Sequence, residues 1–161
     1  MVRTATKQDA AGIACIYNHY VLNSTITFEE QPVAEAEIAD RMRKVQAQSL
    51  PYLVAEEDGR VVGFAYARQW ISRTAYRFTV ETTVYLGPES RGQGRGSQLY
   101  DALLEELRAK SIHAVIGIIA LPNAASIALH EKFGFKKIAH LKEVGWKFEK
   151  RIDVGYWELI F

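Results

Sequence analysis

The run Gly87-Pro88-Glu89-Ser90-Arg91-Gly92-Gln93-Gly94-Arg95-Gly96 separates a β-patterned stretch from an amphipathic helix. No other segment restricts the fold as much. Gly-Pro stops the strand pattern, and three glycines at alternate positions follow. Glycine has no Cβ, so such a loop can turn several backbone N–H groups toward one point. The helix start adds unpaired N–H donors and the positive end of a dipole. A strand, a tight loop and a helix in immediate succession are thereby required, and they make a site for a phosphate-bearing ligand.

The loop does not fit the commonest phosphate binders. A Walker A loop ends in Gly-Lys-Ser/Thr, whereas this one reads Gly94-Arg95-Gly96-Ser97. A dinucleotide fingerprint is Gly-x-Gly-x-x-Gly near the first strand of a βαβ unit. Here the spacing is Gly-x-Gly-x-Gly, and a hairpin precedes it. A glycine-rich turn without a ligand stays open at this point.

The rest of the chain supplies the context. Thr6 and Asp9 resemble a capping box, and Ile13, Ile16, Tyr17 and Tyr20 follow at helical spacing. Cys15 falls in that pattern and is expected in the core. Pro32 can open a second helix with Ile38, Met42 and Val45 on its apolar face. Tyr52 to Glu56, the turn Asp58-Gly59 and Val61 to Ala67 read as a hairpin. Phe78 to Leu86 alternates as a third strand. Leu99, Leu103, Leu104 and Leu107 form the buried face of the helix after the glycines. Ala114 to Leu121 is nearly continuous in apolar residues, as for a strand covered on both faces. Asn123 can cap a helix that runs to about Phe133 and stops at Gly134. Ile152, Val154, Tyr156 and Ile160 suggest a last strand. The expectation is one α/β domain over residues 1–161, with a mixed sheet and helices on both faces.

Bulk properties narrow the function. A net charge of +1 gives no electrostatic support to nucleic-acid or acidic-membrane binding. A single cysteine leaves no internal disulfide and fits a reducing compartment. No apolar signal segment or span of about 20 residues is present, so the expected setting is the cytoplasm. His19, His113 and His140 lack metal-ligand spacing, and no metal is expected.

Two motifs together point to a family. Arg91-x-x-Gly94-x-Gly96 resembles the Gln/Arg-x-x-Gly-x-Gly/Ala signature of the GNAT superfamily of N-acetyltransferases. Asn123-Ala124-Ala125-Ser126 through Gly134-Phe135 resembles that superfamily's second motif. Thr79-Val80-Glu81-Thr82-Thr83-Val84-Tyr85, Leu129-His130-Glu131, Thr27-Phe28-Glu29-Glu30-Gln31-Pro32 and the tail Val144-Gly145-Trp146…Asp153-Val154-Gly155-Tyr156-Trp157 are similar to the phosphinothricin N-acetyltransferase subfamily. That subfamily includes enzymes acting on methionine sulfoximine and methionine sulfone. The resemblance covers almost the whole chain and implies a mostly antiparallel central sheet.

The resemblance implies acetyl-CoA as co-substrate. Gly92, Gln93, Gly94, Arg95, Gly96 and Ser97 would hold its pyrophosphate by backbone, with Arg91 and Arg95 adding charge. Val84, Tyr85 and Leu86 would pair with the pantetheine arm like a short strand. Asn123 and Ser126 would contact the cofactor, although Asn123 is also a plain N-cap. An attacking amine must be neutral, so a general base is useful. Glu81 is the candidate, since a carboxylate within an apolar, Thr-rich strand is costly unless paired or functional; an exposed edge position is the alternative. His130 stands where many relatives carry Tyr and is the second candidate, for proton transfer to the leaving thiolate or from the amine. Tyr85 is an alternative acid. For the acceptor, the resemblance implicates the loop Ile71, Ser72, Arg73 and Arg77, with Thr82 and Thr83 across the pocket and Phe28 and Trp70 lining it. A guanidinium there suits a carboxylate or phosphinate.

The expected reaction is direct acetylation of a small amino acid's α-amine in a ternary complex, by a homodimer. Rivals are transfer to a polyamine, an aminoglycoside or a protein N-terminus, and a non-catalytic acyl-CoA sensor.

Overall fold

In the computed structural model, which describes residues 1–161, the chain runs β1 (Val2–Thr4), α1 (Ala10–Asn23), α2 (Glu35–Ala47), β2 (Tyr52–Glu57), β3 (Arg60–Gln69), β4 (Thr79–Leu86), α3 (Arg95–Ala109), β5 (Ala114–Ala120), α4 (Ala124–Lys132), β6 (Lys136–Lys147) and β7 (Lys150–Ile160). The seven strands form one sheet in the order β1-β2-β3-β4-β5-β7-β6. All neighbours are antiparallel except β4 and β5. The α/β class and the mixed sheet thus agree with the sequence reading.

Period-two alternation divides the core between the two faces. On β2, Leu53 and Ala55 pack with Leu99, Leu103, Leu104 and Leu107 of α3. Tyr52 and Val54 pack with Ile13, Ile16, Ile38 and Met42 of α1 and α2. The β2–β3 hairpin turns at Asp58 and Gly59, both at positive φ (49° and 74°), as an Asp-Gly type I′ turn requires. Thr6 and Asp9 pair at the first turn as expected, the Thr6 N–H donating to Asp9 Oδ2 at 2.7 Å. No helix is long and apolar enough to cross a membrane.

Several expectations need correction. α2 opens at Glu35, not Pro32; Ala34 is extended and its carbonyl accepts the first bonds, from Glu37 and Ile38 N–H. Cys15 is exposed rather than buried. Two further strands carry no clear alternation in the sequence. β1 has only three residues. β6 is an edge strand, so most of its side chains meet solvent, and register shifts after Lys137 and after Leu141 break its alternation.

The parallel pair is short. Its register runs from Thr79↔Ala114 to Thr82↔Gly117 and ends there. β4 then follows β3, with Thr83 opposite Tyr66 and Leu86 opposite Gly63. β5 follows β7, with Ile118 opposite Tyr156 and Ala120 opposite Val154. The sheet therefore splits along one line, and the inner backbone edge of Thr83–Leu86 loses its strand partner.

Candidate active site

A cavity of about 750 Å³ occupies this split and reaches both faces of the sheet. Its β4 wall is Glu81 to Leu86. Ile118, Ile119 and Ala120 form the opposite wall. Gly96, Asn123, Ser126, Leu129 and His130 close the α3–α4 side, and Tyr17, Tyr20, Phe28, Arg41, Tyr66 and Arg68 line the α1–α2 side.

One end meets the start of α3. Gly94 precedes the helix in the left-handed region (φ 77°), and Gly92 shares it (φ 73°). A Cβ on either would meet nothing within 4 Å, so the glycines serve the turn and leave its outer side open. The first-turn N–H groups of Arg95, Gly96 and Ser97 have no partner within the helix. Arg91 borders the cavity, with its guanidinium over the Tyr20 ring at 5.2 Å. Arg95 differs from expectation: its guanidinium turns away, to Glu57 and the Gln93 side chain. Lys132 supplies charge that the sequence reading missed, donating to Ser97 Oγ at 2.8 Å. Gly92, Gln93, Gly94 and Ser97 lie in the loop and helix start beside the cavity rather than on its wall. The donor set fits an anionic phosphate.

Val84, Tyr85 and Leu86 line the middle. The Leu86 carbonyl is already engaged by the Tyr20 hydroxyl at 2.6 Å. Tyr85 sits among Tyr17, Tyr20 and Phe64. Burial raises its phenol pKa well above the ordinary value, so the hydroxyl keeps its proton. Asn123 Oδ1 accepts from Ser126 N–H at 3.2 Å, which makes it the N-cap of α4 and leaves its amide nitrogen free.

Glu81 and His130 lie on opposite faces of the sheet. Glu81 shares the α1–α2 face with Thr83 and Tyr85, as alternation predicts. Its carboxylate takes both bonds from Arg68 Nη2, at 2.8 and 2.9 Å. His130 packs on the other face, between Tyr100 and Phe135, each 5.1 Å away by ring centroid. Its ring occupies the side-chain position of Gly117, where an added Cβ would stand 2.4 Å from Nε2. Burial lowers the imidazole pKa below its ordinary value, only partly opposed by the bond to Ser126 O. The ring is therefore neutral at pH 7. Nδ1 lies 2.7 Å from that carbonyl, which can only accept, so Nδ1 carries the proton. Nε2 is left as a bare, buried acceptor without a partner.

The substrate loop is a correction. Ile71, Ser72, Arg73 and Arg77 do not line the cavity, nor does Trp70. β3 continues to Gln69, and the loop then folds onto itself. Trp70 packs edge-on against Tyr76 at 5.4 Å, and Arg77 bonds Thr74 O and covers the Phe78 ring. The guanidiniums at this end are instead Arg41 and Arg68. Thr82 lines the cavity from the α3 face, its hydroxyl 2.8 Å from the Tyr100 hydroxyl. Thr83 keeps its expected face. Phe28 reaches the cavity because Gly145 of β6 leaves it space; a Cβ there would stand 2.4 Å from Phe28 Cζ.

Residues 2–155 match the acetyltransferase (GNAT) domain model. The chain is 39% identical over 160 residues to a phosphinothricin N-acetyltransferase of Streptomyces viridochromogenes, covering 99% of this chain and 87% of that protein. It is 37% identical over 161 residues to an L-methionine sulfoximine/L-methionine sulfone acetyltransferase of Salmonella typhimurium, covering 98% and 92%. Among solved structures, a Sinorhizobium meliloti phosphinothricin acetyltransferase in complex with acetyl-CoA superposes with a TM-score of 0.97 at 37% identity, covering all of this chain and 88% of that one.

Proposed function

The chain belongs to the GNAT acetyltransferase family, and from that premise we propose that it transfers the acetyl group of acetyl-CoA to the α-amine of a small amino acid with a tetrahedral polar end. Methionine sulfone, methionine sulfoximine and phosphinothricin are the acceptors that the relatives' names suggest. The observation that carries the reading is the split between β4 and β5. It joins a phosphate-type cradle at the start of α3 to a paired carboxylate, Glu81, across one cavity.

Bound acetyl-CoA supplies an activated thioester. The first-turn amides of α3 hold its pyrophosphate, aided by Arg91 and Lys132. The unpaired edge of Val84–Leu86 aligns the pantetheine arm as an added strand, and a backbone N–H there faces the developing oxyanion. Glu81 takes one proton from the acceptor's ammonium group, by way of water. The neutral amine attacks directly; the N–C bond forms and the C–S bond breaks. His130 begins neutral with a bare Nε2. It accepts the second amine proton and passes it to the sulfur, which balances the reaction. Tyr85 keeps its hydroxyl proton within the aromatic cluster and is the weaker choice for this step.

The test is a thiol-release assay over methionine sulfone, methionine sulfoximine, phosphinothricin, a polyamine and an aminoglycoside. Release with the first three, and N-acetylation at the α-amine by mass spectrometry, is the expected result. Release only with the polyamine or aminoglycoside overturns the choice of acceptor. No release with any amine, together with acetyl-CoA binding, favours a sensor.

We also propose a homodimer. The edge strand β6 exposes Ile138, Leu141, Val144 and Trp146, four apolar side chains that solvent disfavours. Of the tail aromatics, Trp146 is exposed, Tyr156 is half-buried and Trp157 is buried in the core. Light scattering at micromolar concentration should give twice the chain mass; a monomer there counts against it.

A further inference from the structure

We propose that Arg68 makes acetylation conditional on a carboxylate in the acceptor, by covering Glu81 until that carboxylate draws it away. The proposal rests on the reading of Glu81 as the base and adds a specificity device to it.

Arg68 and Glu81 stand directly opposite each other in the β3–β4 register. One nitrogen, Nη2, binds both carboxylate oxygens. Glu81 is the inner partner, with 13% of its side chain exposed against 56% for Arg68. The guanidinium therefore lies over the carboxylate on the solvent side. In this arrangement Glu81 is occupied and its approach is covered.

Arg68 has unused capacity. Neither Nε nor Nη1 makes a hydrogen bond, which leaves three of the five donors free. On Arg41, the other guanidinium at this end, every nitrogen is already engaged: Nη1 binds Glu29, and Nε and Nη2 bind Glu37. Arg91 stacks on Tyr20 beside the α3 end. A carboxylate entering near Glu81 thus finds one guanidinium with two unengaged nitrogens, Nε and Nη1, and it belongs to Arg68. Once Nη2 leaves Glu81, that guanidinium can bind the carboxylate bidentately.

A zwitterionic amino acid brings both charges that the pair needs. Its carboxylate meets Arg68 and its ammonium meets Glu81, so one ion pair becomes two. A simple amine offers nothing to Arg68, which then stays on Glu81. The same exchange selects the acceptor and frees the base.

The experiment compares methionine sulfone with its carboxamide, which keeps the amine and the sulfone and lacks the negative charge. Wild-type enzyme should favour the acid by roughly 10²-fold or more in kcat/KM, the scale of a lost charge-assisted pair. Arg68→Gln should raise KM for the acid and speed the amide, so that the preference collapses to within about tenfold. Arg68→Lys should restore part of the preference, as a point charge without a fork. Equal use of acid and amide by wild-type enzyme, or an unchanged preference in Arg68→Gln, overturns the role of Arg68. A Glu81→Gln arm separates the two ideas. If Glu81→Gln turns over the acid at the wild-type rate, the base assignment fails and the proposal with it. If Glu81→Gln is slow while Arg68→Gln keeps the preference, only the Arg68 proposal fails.

Discussion

Glu81→Gln should lower kcat by roughly 10²–10⁴-fold, the range for a lost general base, with acetyl-CoA affinity essentially unchanged. The substitution is isosteric. The amide oxygen can still accept from Arg68 Nη2, so the β3–β4 register and the cavity wall persist. What disappears is the group that can take the ammonium proton. Glu81 lies on the face away from His130 and from the α3 loop, which is why cofactor binding should not follow the rate. Calorimetry with acetyl-CoA and steady-state kinetics on methionine sulfone separate the two quantities. His130→Asn provides a second arm: it removes the bare Nε2 and should also slow turnover without weakening acetyl-CoA binding. Wild-type kcat in both variants removes these residues from the mechanism.

Gly94→Asp should abolish measurable acetyl-CoA binding while leaving the protein folded. A Cβ at Gly94 meets nothing within 4 Å, so no packing is disturbed. The left-handed backbone, φ 77°, costs a non-glycine residue about 1–2 kcal/mol, and Asp less than most. The carboxylate would stand at the start of α3, where the pyrophosphate belongs. Two like charges about 4 Å apart repel by about 4 kcal/mol near a protein surface, close to 10³-fold in affinity. Gly94→Asn is the control, since it has the same shape and backbone tolerance without the charge. It should lose about tenfold or less, leaving most of the Asp effect to charge. Unaltered affinity in folded Gly94→Asp sinks the assignment of the loop.

Legibility followed the range of the interaction. The glycine loop, the α3 heptad-like leucines and the Asp-Gly hairpin are local, and each was readable from neighbours in the chain. Glu81 stood out because a charge inside a Thr-rich strand has no local reason. Arg68 did not, although it is Glu81's closest polar contact. Their pairing depends on where β3 and β4 are set against each other across a nine-residue connection, and no short motif encodes that register. Arg73 and Arg77 drew attention as arginines in a loop of the right family, but the loop closes on Trp70 and Tyr76 instead of the cavity. His130 is marked by its motif, whereas its state is not: neutrality and the bare Nε2 come from Gly117, Tyr100, Phe135 and Ser126, and the first two are distant in sequence. β6 was missed because an edge strand keeps its charges and loses its alternation.

The segment between α1 and α2 forms one wall of the cavity in an unusual way. Residues 25–33 make no backbone-to-backbone hydrogen bond. Side chains pin the strap instead. Asn18 clasps Val33 through both its N–H and its carbonyl, at 2.7 and 2.9 Å. The Tyr17 hydroxyl meets Thr27 Oγ1, buried Lys147 donates to the Thr27 carbonyl, and Arg41 holds Glu29. Phe28, between the pins, reaches the cavity and rests against Gly145 of β6. A lineage can therefore trade acceptors by changing a few strap side chains, one at a time, with the thioester machinery untouched. The same property makes the strap the natural place to randomise when retargeting this scaffold to a new amine.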